Sequence, residues 1–318
     1  MKKFLSIALA LLMVCVMLPV VALAAEKTAS TYEELKSAIS TANDGDTIKL
    51  LADIDLSQTI TVNKTITLNM NGKKLYNTSD LWDKPTAEAN NWSLISVRGS
   101  GNLTITGNGT FAAKENDCYA VDVQESATVT IKNGTFIGNI HAVYVFAGTA
   151  NVEGGTYSVQ QKYPDSAKGD EFVLNCYDAN RANGTARINV TGGTFKNFNP
   201  ADNKAEGEGN NFADNSLVVQ KNNTVQNNDY YVGNAANEVI AAASKGEEIF
   251  VLNGTTLTNV PAGVIIQNRT GDRITVNGKD VELTGDAGYT VPASNITIIV
   301  PGDTTPAETP KTEDQKNP

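Results

Sequence analysis

The feature that most constrains this chain is a repeat. Aligned on a glycine corner it reads LTITGNGTF (103–111), VTIKNGTF (129–136), ANVEGGTY (150–157) and INVTGGTF (188–195). Each copy alternates apolar and polar residues, reaches the glycine, and resumes with Thr and an aromatic. The aromatics Phe111, Phe136, Tyr157 and Phe195 follow at intervals of 25, 21 and 38 residues. A second strand recurs between them as CYAVDV (118–123), HAVYVF (141–146) and FVLNCY (172–177). The longest interval contains QQKYPDSAKGDE (160–171), a polar stretch that reads as an insertion loop. Short strands and glycine corners recurring at roughly 20 to 30 residues are the signature of a solenoid. One such turn cannot bury its own apolar face, but turns stacked at about 4.8 Å share a continuous core. Glycine permits the left-handed backbone of a sharp corner, and outward Thr and Asn can pair from turn to turn. The repeated GGTF therefore reads as a corner plus a core aromatic, kept for packing.

The ends of the chain read differently. Lys2 and Lys3, the apolar run Phe4 to Val21 and the small residues Ala22-Leu23-Ala24-Ala25 predict a secretory signal peptide over 1–25. No later run approaches the roughly 18 apolar residues of a membrane span. Ser30 or Thr31, Glu33 or Glu34, and the stripe Leu35, Ala38, Ile39, Ala42 predict a helix over 31–43, closed by Gly45. A solenoid end exposes core and strand edges, so this helix is expected to cap it. Strands follow in DTIKLLADIDL (46–56) and QTITVNKTITLNM (58–70). The domain expected over 26–232 is the solenoid. Beyond it, NEVIAAASKGEEIFVLNG (237–254) resets the pattern, and 233–300 reads as a small β module or as further turns. The Pro- and Thr-rich segment 301–318 reads as a disordered linker.

The stretch YEELKSAISTANDGDTIKLLADIDLSQTITVNKTITLNMNGKKL (32–75) resembles the opening of secreted right-handed parallel β-helix proteins, the pectate-lyase-like superfamily. Residues 172–219 resemble a module in β-helix proteins of gut bacteria and their phages. The linker resembles the wall-spanning stalk of Gram-positive surface proteins, and Asn317-Pro318 would open an NPxTG-type sortase signal in a longer chain. The resemblance implies an all-β right-handed parallel β-helix with an N-terminal capping helix. It specifies no activity, because the fold hosts many.

Activities known on this fold have recognisable parts. For a pectate lyase the resemblance implies Ca²⁺ held by clustered Asp, with an Arg or Lys base. None of the five arginines, Arg98, Arg181, Arg187, Arg269 and Arg273, stands in an Arg-x-Pro-x-x-Arg pattern. Polygalacturonases pair carboxylates for acid and base roles, but their Asp-Asp and Gly-His-Gly motifs are missing. The single histidine, His141, limits triads and His-rich metal sites. Its place beside a strand points to a surface or turn-packing role. Asp44, Asp46, Asp53 and Asp55 offer hard oxygen ligands that a Ca²⁺ takes. Asp-Gly-Asp is equally ordinary turn chemistry, so no cofactor is expected. Cys118 and Cys176 fall two turns apart, farther than a disulfide spans, and are expected to be free.

One binding surface stands out. Tyr119, His141, Tyr144 and Tyr177 fall on or beside stacked strands, where they line one exposed flank, while Trp82 and Trp92 bracket the loop SDLWDKPTAEANNWS (79–93). Aromatic rings with nearby amides and carboxylates suit sugars. The same residues also suit a plainer role, pinning a loop and capping core ends. A net charge of −10 disfavours nucleic acid and anionic membranes as partners. The expectation is a secreted, monomeric scaffold of adhesin type, wall-associated if the chain continues into a sortase signal, contacting a glycan or host surface without catalysis. The alternatives are a polysaccharide lyase or hydrolase using atypical acids such as Glu115, Asp117, Asp122 and Asp170, and a phage-derived structural module.

Overall fold

The computed structural model describes residues 24–82, 92–161, 172–201, 210–212, 216–224, 227–234, 240, 243–252, 256–282 and 288–293. The expected signal peptide up to residue 23, most of the 160–171 insertion and the 301–318 linker lie outside the described residues.

The chain winds over three faces in a fixed order. The first face is an eight-stranded parallel sheet running from Glu26–Ala29 and Thr47–Leu50 through Thr65–Asn69, Asn102–Thr106, Thr128–Ile131, Gly148–Val152 and Ala186–Val190 to Asn211–Phe212. The second face stacks Ile54–Asp55, Lys74–Tyr76, Thr110–Ala112, Thr135–Gly138, Thr156–Val159 and Gly193–Lys196. The third stacks Ile60–Val62, Ser93–Val97, Tyr119–Val123, Val143–Val145 and Leu174–Cys176. From Thr47 to Cys176 each of five turns visits the first, second and third faces in that order, with parallel pairing from turn to turn, and Ala186–Val190 and Gly193–Lys196 begin a sixth. This is a parallel β-helix.

The two expected strands 46–56 and 58–70 each break into two. The reason is a corner. Leu50 and Ile54 are both buried, whereas Leu51 between them is 49% exposed. The apolar period of two survives only by rotating the chain onto a new face. The N-terminal helix, α1 (Tyr32–Ser40), is shorter than the expected 31–43. Thr31 caps it, its hydroxyl accepting from the Glu34 N–H at 3.2 Å, while Thr41 closes it before Gly45 is reached. Leu35, Ala38 and Ile39 are buried against the first turn, so α1 covers core that would otherwise face water.

The repeat packs as two ladders. Inside, Phe111, Phe136, Tyr157 and Phe195 are fully buried. Their rings stack at centroid separations of 4.8, 5.2 and 5.1 Å, within 13° of parallel. Ring spacing matches strand spacing, so each turn adds one ring to an unbroken column. Outside, on the first face, Asn151 donates to Thr130 Oγ1 at 3.4 Å and Asn189 to Asn151 Oδ1 at 2.8 Å. Asn211 continues the row onto Asn189 at 3.3 Å.

The glycine pair between them does two jobs. Gly155 and Gly193 adopt φ of +102° and +129°, which side chains resist. Gly154 and Gly192 are excluded sterically. A Cβ there would sit 2.4 Å from the Lys132 carbonyl oxygen or 2.3 Å from that of Glu153, in the turn below.

Beyond Lys196 the second face changes character. Gly193–Lys196 pairs antiparallel with Asn227–Asn234, which pairs antiparallel with Ser216–Thr224. Ser216–Thr224 then meets Glu248–Val251 antiparallel, and Ile265–Asn268 follows parallel. Alternation along one strand serves two cores. Val218 packs with the solenoid, while Leu217 and Val219 join a second cluster that includes Ile249, Ile266 and Val276. A small three-stranded sheet, Thr256–Leu257, Ile274–Val276 and Lys279–Val281, covers that cluster.

Candidate functional site

The third face carries the chemistry. Its inward residues, among them Ile60, Val97, Val121 and Val145, fill the solenoid core. Register aligns an opposite row of Thr61, Ser96, Asp122, Tyr144 and Asn175. Beside this row the expected aromatics gather.

Trp82 stacks on Trp92 at 5.9 Å and meets Tyr119 edge-on at 5.4 Å. Tyr119 lies 4.8 Å from His141 and 5.2 Å from Tyr144, and His141 stacks on Tyr144 at 5.4 Å. Five of the six sequence-derived candidates thus form one connected group. Tyr177 stands apart. It stacks on Phe146 at 4.9 Å and begins the short helix α2 (Asp178–Ala182), with 43% of its surface exposed. The expected exposed flank needs a correction, because Tyr119 and His141 are only 8% and 7% exposed. The Trp82 ring packs against the one, and the Phe172 ring meets the other near right angles with centroids 6.2 Å apart. Trp82 remains the open end of the group, at 38%.

One buried acid organises that open end. Asp117 accepts hydrogen bonds from the Leu81 N–H at 2.9 Å, the Trp82 N–H at 2.9 Å and Asn77 Nδ2 at 2.6 Å. The loop leaves the solenoid here, and a carboxylate replaces the strand partners it lacks. Sequence reasoning grouped Asp117 with possible catalytic acids. The signal for its true role was weak: an acid just before a strand, one turn on from a tryptophan loop.

Asp122 is fully buried. Its oxygens accept from Ser96 Oγ at 2.9 Å and Gln124 Nε2 at 2.8 Å. Burial pushes its carboxyl up to about 6, against the pull of those two hydrogen bonds. His141 Nδ1 lies 2.8 Å from the Phe172 carbonyl oxygen, and Nε2 lies 3.2 Å from Asn175 Nδ2. Burial lowers the imidazole to about 4 and keeps it neutral. It packs and orients rather than exchanging protons.

The remaining candidates are occupied by structure. Asp44 Oδ1 accepts from the Thr65 N–H, Asp53 from that of Lys74, and Asp55 from the Thr78 N–H and hydroxyl. Asp46 accepts from Ala25 and Asn43, and these backbone bonds hold its carboxyl below the usual range. Among the described residues no three His, Cys, Asp or Glu gather in a metal-binding group. Cys118 and Cys176 are buried thiols in no disulfide. Burial, with the neighbouring Asp117 charge, pushes the Cys118 thiol far up, so it stays protonated. Asp170 lies outside the described residues.

Other concavities lie among the described residues. One, of about 590 Å³, runs over the glycine corners past Asn133, Thr194 and Tyr231. Another, of about 560 Å³, lies between α1 and the strand Ile60–Val62. Glu153 in the first is paired with Lys132, and Arg98 in the second with Glu125. Among the described residues no helix is long and apolar enough to cross a membrane.

No protein-family model, curated protein or solved structure matches the chain. The fold and its site define a class nonetheless: a parallel β-helix carrying an aromatic group on one face. What that group does must be argued from its own residues.

Proposed function

We propose that this chain is a non-enzymatic β-helix scaffold, exported and displayed outside the cell, whose third face contacts a neutral glycan. The observation that carries this reading is the connected aromatic group Trp82, Trp92, Tyr119 and Tyr144, which opens to solvent at Trp82. Ring faces suit the C–H faces of sugars, and amides suit their hydroxyls. The net charge of −10 favours a neutral ligand over an anionic one. Export and an adhesin-like role draw support from the N-terminal signal pattern. They also draw on the resemblance to secreted pectate-lyase-like β-helix proteins of Gram-positive gut bacteria.

A second reading, a polysaccharide-cleaving enzyme, draws on Asp122, whose carboxyl is pushed up to about 6. A general acid must reach its substrate. Asp122 is closed to solvent and both its oxygens are occupied, which suits a buried strut. The test is to incubate the mature chain with neutral and acidic polysaccharides, then measure both retention on the polymer and oligosaccharide release by mass spectrometry. Retention without release is expected. New oligosaccharides that vanish in Asp122→Asn would replace this reading with a lyase or hydrolase.

A further inference from the structure

We propose that the trough over the glycine corners is a second carbohydrate subsite, holding a linear neutral glycan along the solenoid axis where the second face meets the trailing β module. The proposal rests on the glycan reading above for its class of ligand, and adds a place for that ligand away from the third face.

The argument begins with register. On the outside of the second face Thr110, Thr135, Thr156 and Thr194 stand in one row, and Tyr231 is the next residue in it. The row changes role there. Tyr231 pairs with Val219, and both lie on the side where the second core is built, with Leu217 and Ile249. The module therefore rises from the second face at Tyr231, and the corner beside it becomes a re-entrant trough of about 590 Å³. Clefts of this size between packed units are frequent ligand sites. From Thr135 to Tyr231 the row runs roughly 14 Å at the strand spacing.

Stacked corner glycines form the floor, so no side chain rises between a ligand and the backbone there. That backbone is already engaged. The N–H groups of Thr135, Thr156 and Thr194 each donate at 2.8 Å to the carbonyls of Gly109, Gly134 and Gly155, one turn back. A peptide strand binds chiefly through main-chain hydrogen bonds, and this ladder is closed to it. The side chains are what remain open. Among the described residues the hydroxyls of Thr135, Thr156 and Thr194 have no hydrogen-bond partner, and all three residues are half-buried in the trough wall. Each turn thus offers one O–H, able to donate or accept, at a spacing of about 4.8 Å. That repeat is close to the length of one sugar residue in an extended chain, so a linear glycan can meet the same contact turn after turn. Asn133 accepts from the Asn108 N–H at 2.8 Å, which leaves its NH₂ group as a further donor. Tyr231 lines the closed end, where its ring suits a sugar's C–H face. The one charged side chain of the lining, Glu153, is paired with Lys132, which favours a neutral ligand.

The test runs the full mature chain in native gels cast with a neutral β-glucan, a galactan or a mannan. Wild-type protein should be retarded by at least one polymer. Thr156→Val, which keeps the side chain's shape and removes its hydroxyl, should bind that polymer about fivefold more weakly, with an unchanged thermal unfolding midpoint. Thr156→Arg, which projects into the trough and leaves the core alone, should weaken binding further. If both variants are retarded like wild type while Trp82→Ala is not, the subsite is overturned and the third-face contact stands. The converse result would keep the subsite and remove the third-face contact. If none of the polymers retards the wild type, the glycan reading fails and this proposal fails with it. A second measurement locates the ligand directly. Oligosaccharides of the retarding polymer are titrated into chain carrying ¹³C-labelled threonine methyl groups. The Thr135, Thr156 and Thr194 signals should shift together and saturate. Signals that stay fixed while the oligosaccharide binds would overturn the subsite.

Discussion

Asp122 and His141 lie on neighbouring turns beside the third face, and burial displaces them in opposite senses. The folded chain holds the Asp122 proton up to about pH 6, where the unfolded chain releases it near 3.8. Stability from this group is therefore greatest below about pH 4 and falls as pH rises to 6. His141 runs the other way. Its folded value of about 4 lies below the ordinary 6.5, so its contribution is complete above 6.5 and is lost as pH falls towards 4. The two slopes oppose each other over the same window. Wild-type stability should consequently change little between pH 4 and 6.5 on account of these groups. Chemical denaturation of Asp122→Asn should show stability falling on acidification, and His141→Gln the reverse, each by on the order of 3 kcal/mol across the window. Parallel slopes in the two variants would refute the assignment. Nothing in the local sequence AVDV or NIHAV betrays either shift. Burial on this face depends on what packs over it, which single strands do not encode.

At the scale of elements, the repeat is a packing device. The central ring, Phe136, is stacked on both sides, by Phe111 at 4.8 Å and Tyr157 at 5.2 Å. Phe136→Ala should cost about 3–5 kcal/mol, seen as a lower denaturation midpoint. Replacement by Leu should restore part of the loss, because volume returns without the stack. A change below about 1 kcal/mol for Phe136→Ala would contradict an unbroken aromatic column. The loop carrying Trp82 is held differently, by three donors on Asp117. Asp117→Ala should shift tryptophan emission to the red as Trp82 loses its seat, while the far-ultraviolet spectrum of the strands persists. Unchanged emission would mean that the loop is fixed elsewhere. The solenoid was readable from sequence because corner glycines and core aromatics recur in register, as Gly155–Tyr157 and Gly193–Phe195 do. The corner at Leu51–Asp53 was not, because no glycine marks it and the apolar period runs through unbroken. The meeting of Trp82, Trp92, Tyr119 and Tyr144 was half readable. The shared face of Tyr119 and Tyr144 followed from the strand alignment, but the docking of Trp82 and Trp92 onto it and the burial of Tyr119 and His141 did not.

Across the whole molecule, one sheet joins two cores. The second face runs from Ile54–Asp55 through the turns of the solenoid, reverses at Asn227–Asn234 and Ser216–Thr224, and continues to Ile265–Asn268. The reversal gives the last solenoid strand a partner, so its edge is not left open. At the other end α1 covers the core. Covered by α1 at one end and continued on its second face at the other, the solenoid presents a third face whose rings are held by neighbouring turns. A rigid wall loses little freedom on binding, which suits contact with a polymer. The most direct test exploits an economy of the sequence: its only two tryptophans, Trp82 and Trp92, both lie in that wall. Any change in tryptophan emission therefore reports on the wall. Titrating the mature chain with the polysaccharide that retards it in native gels should give a saturable change in emission that Tyr144→Ala weakens. Binding with no change in emission would move the contact off the third face and contradict the account.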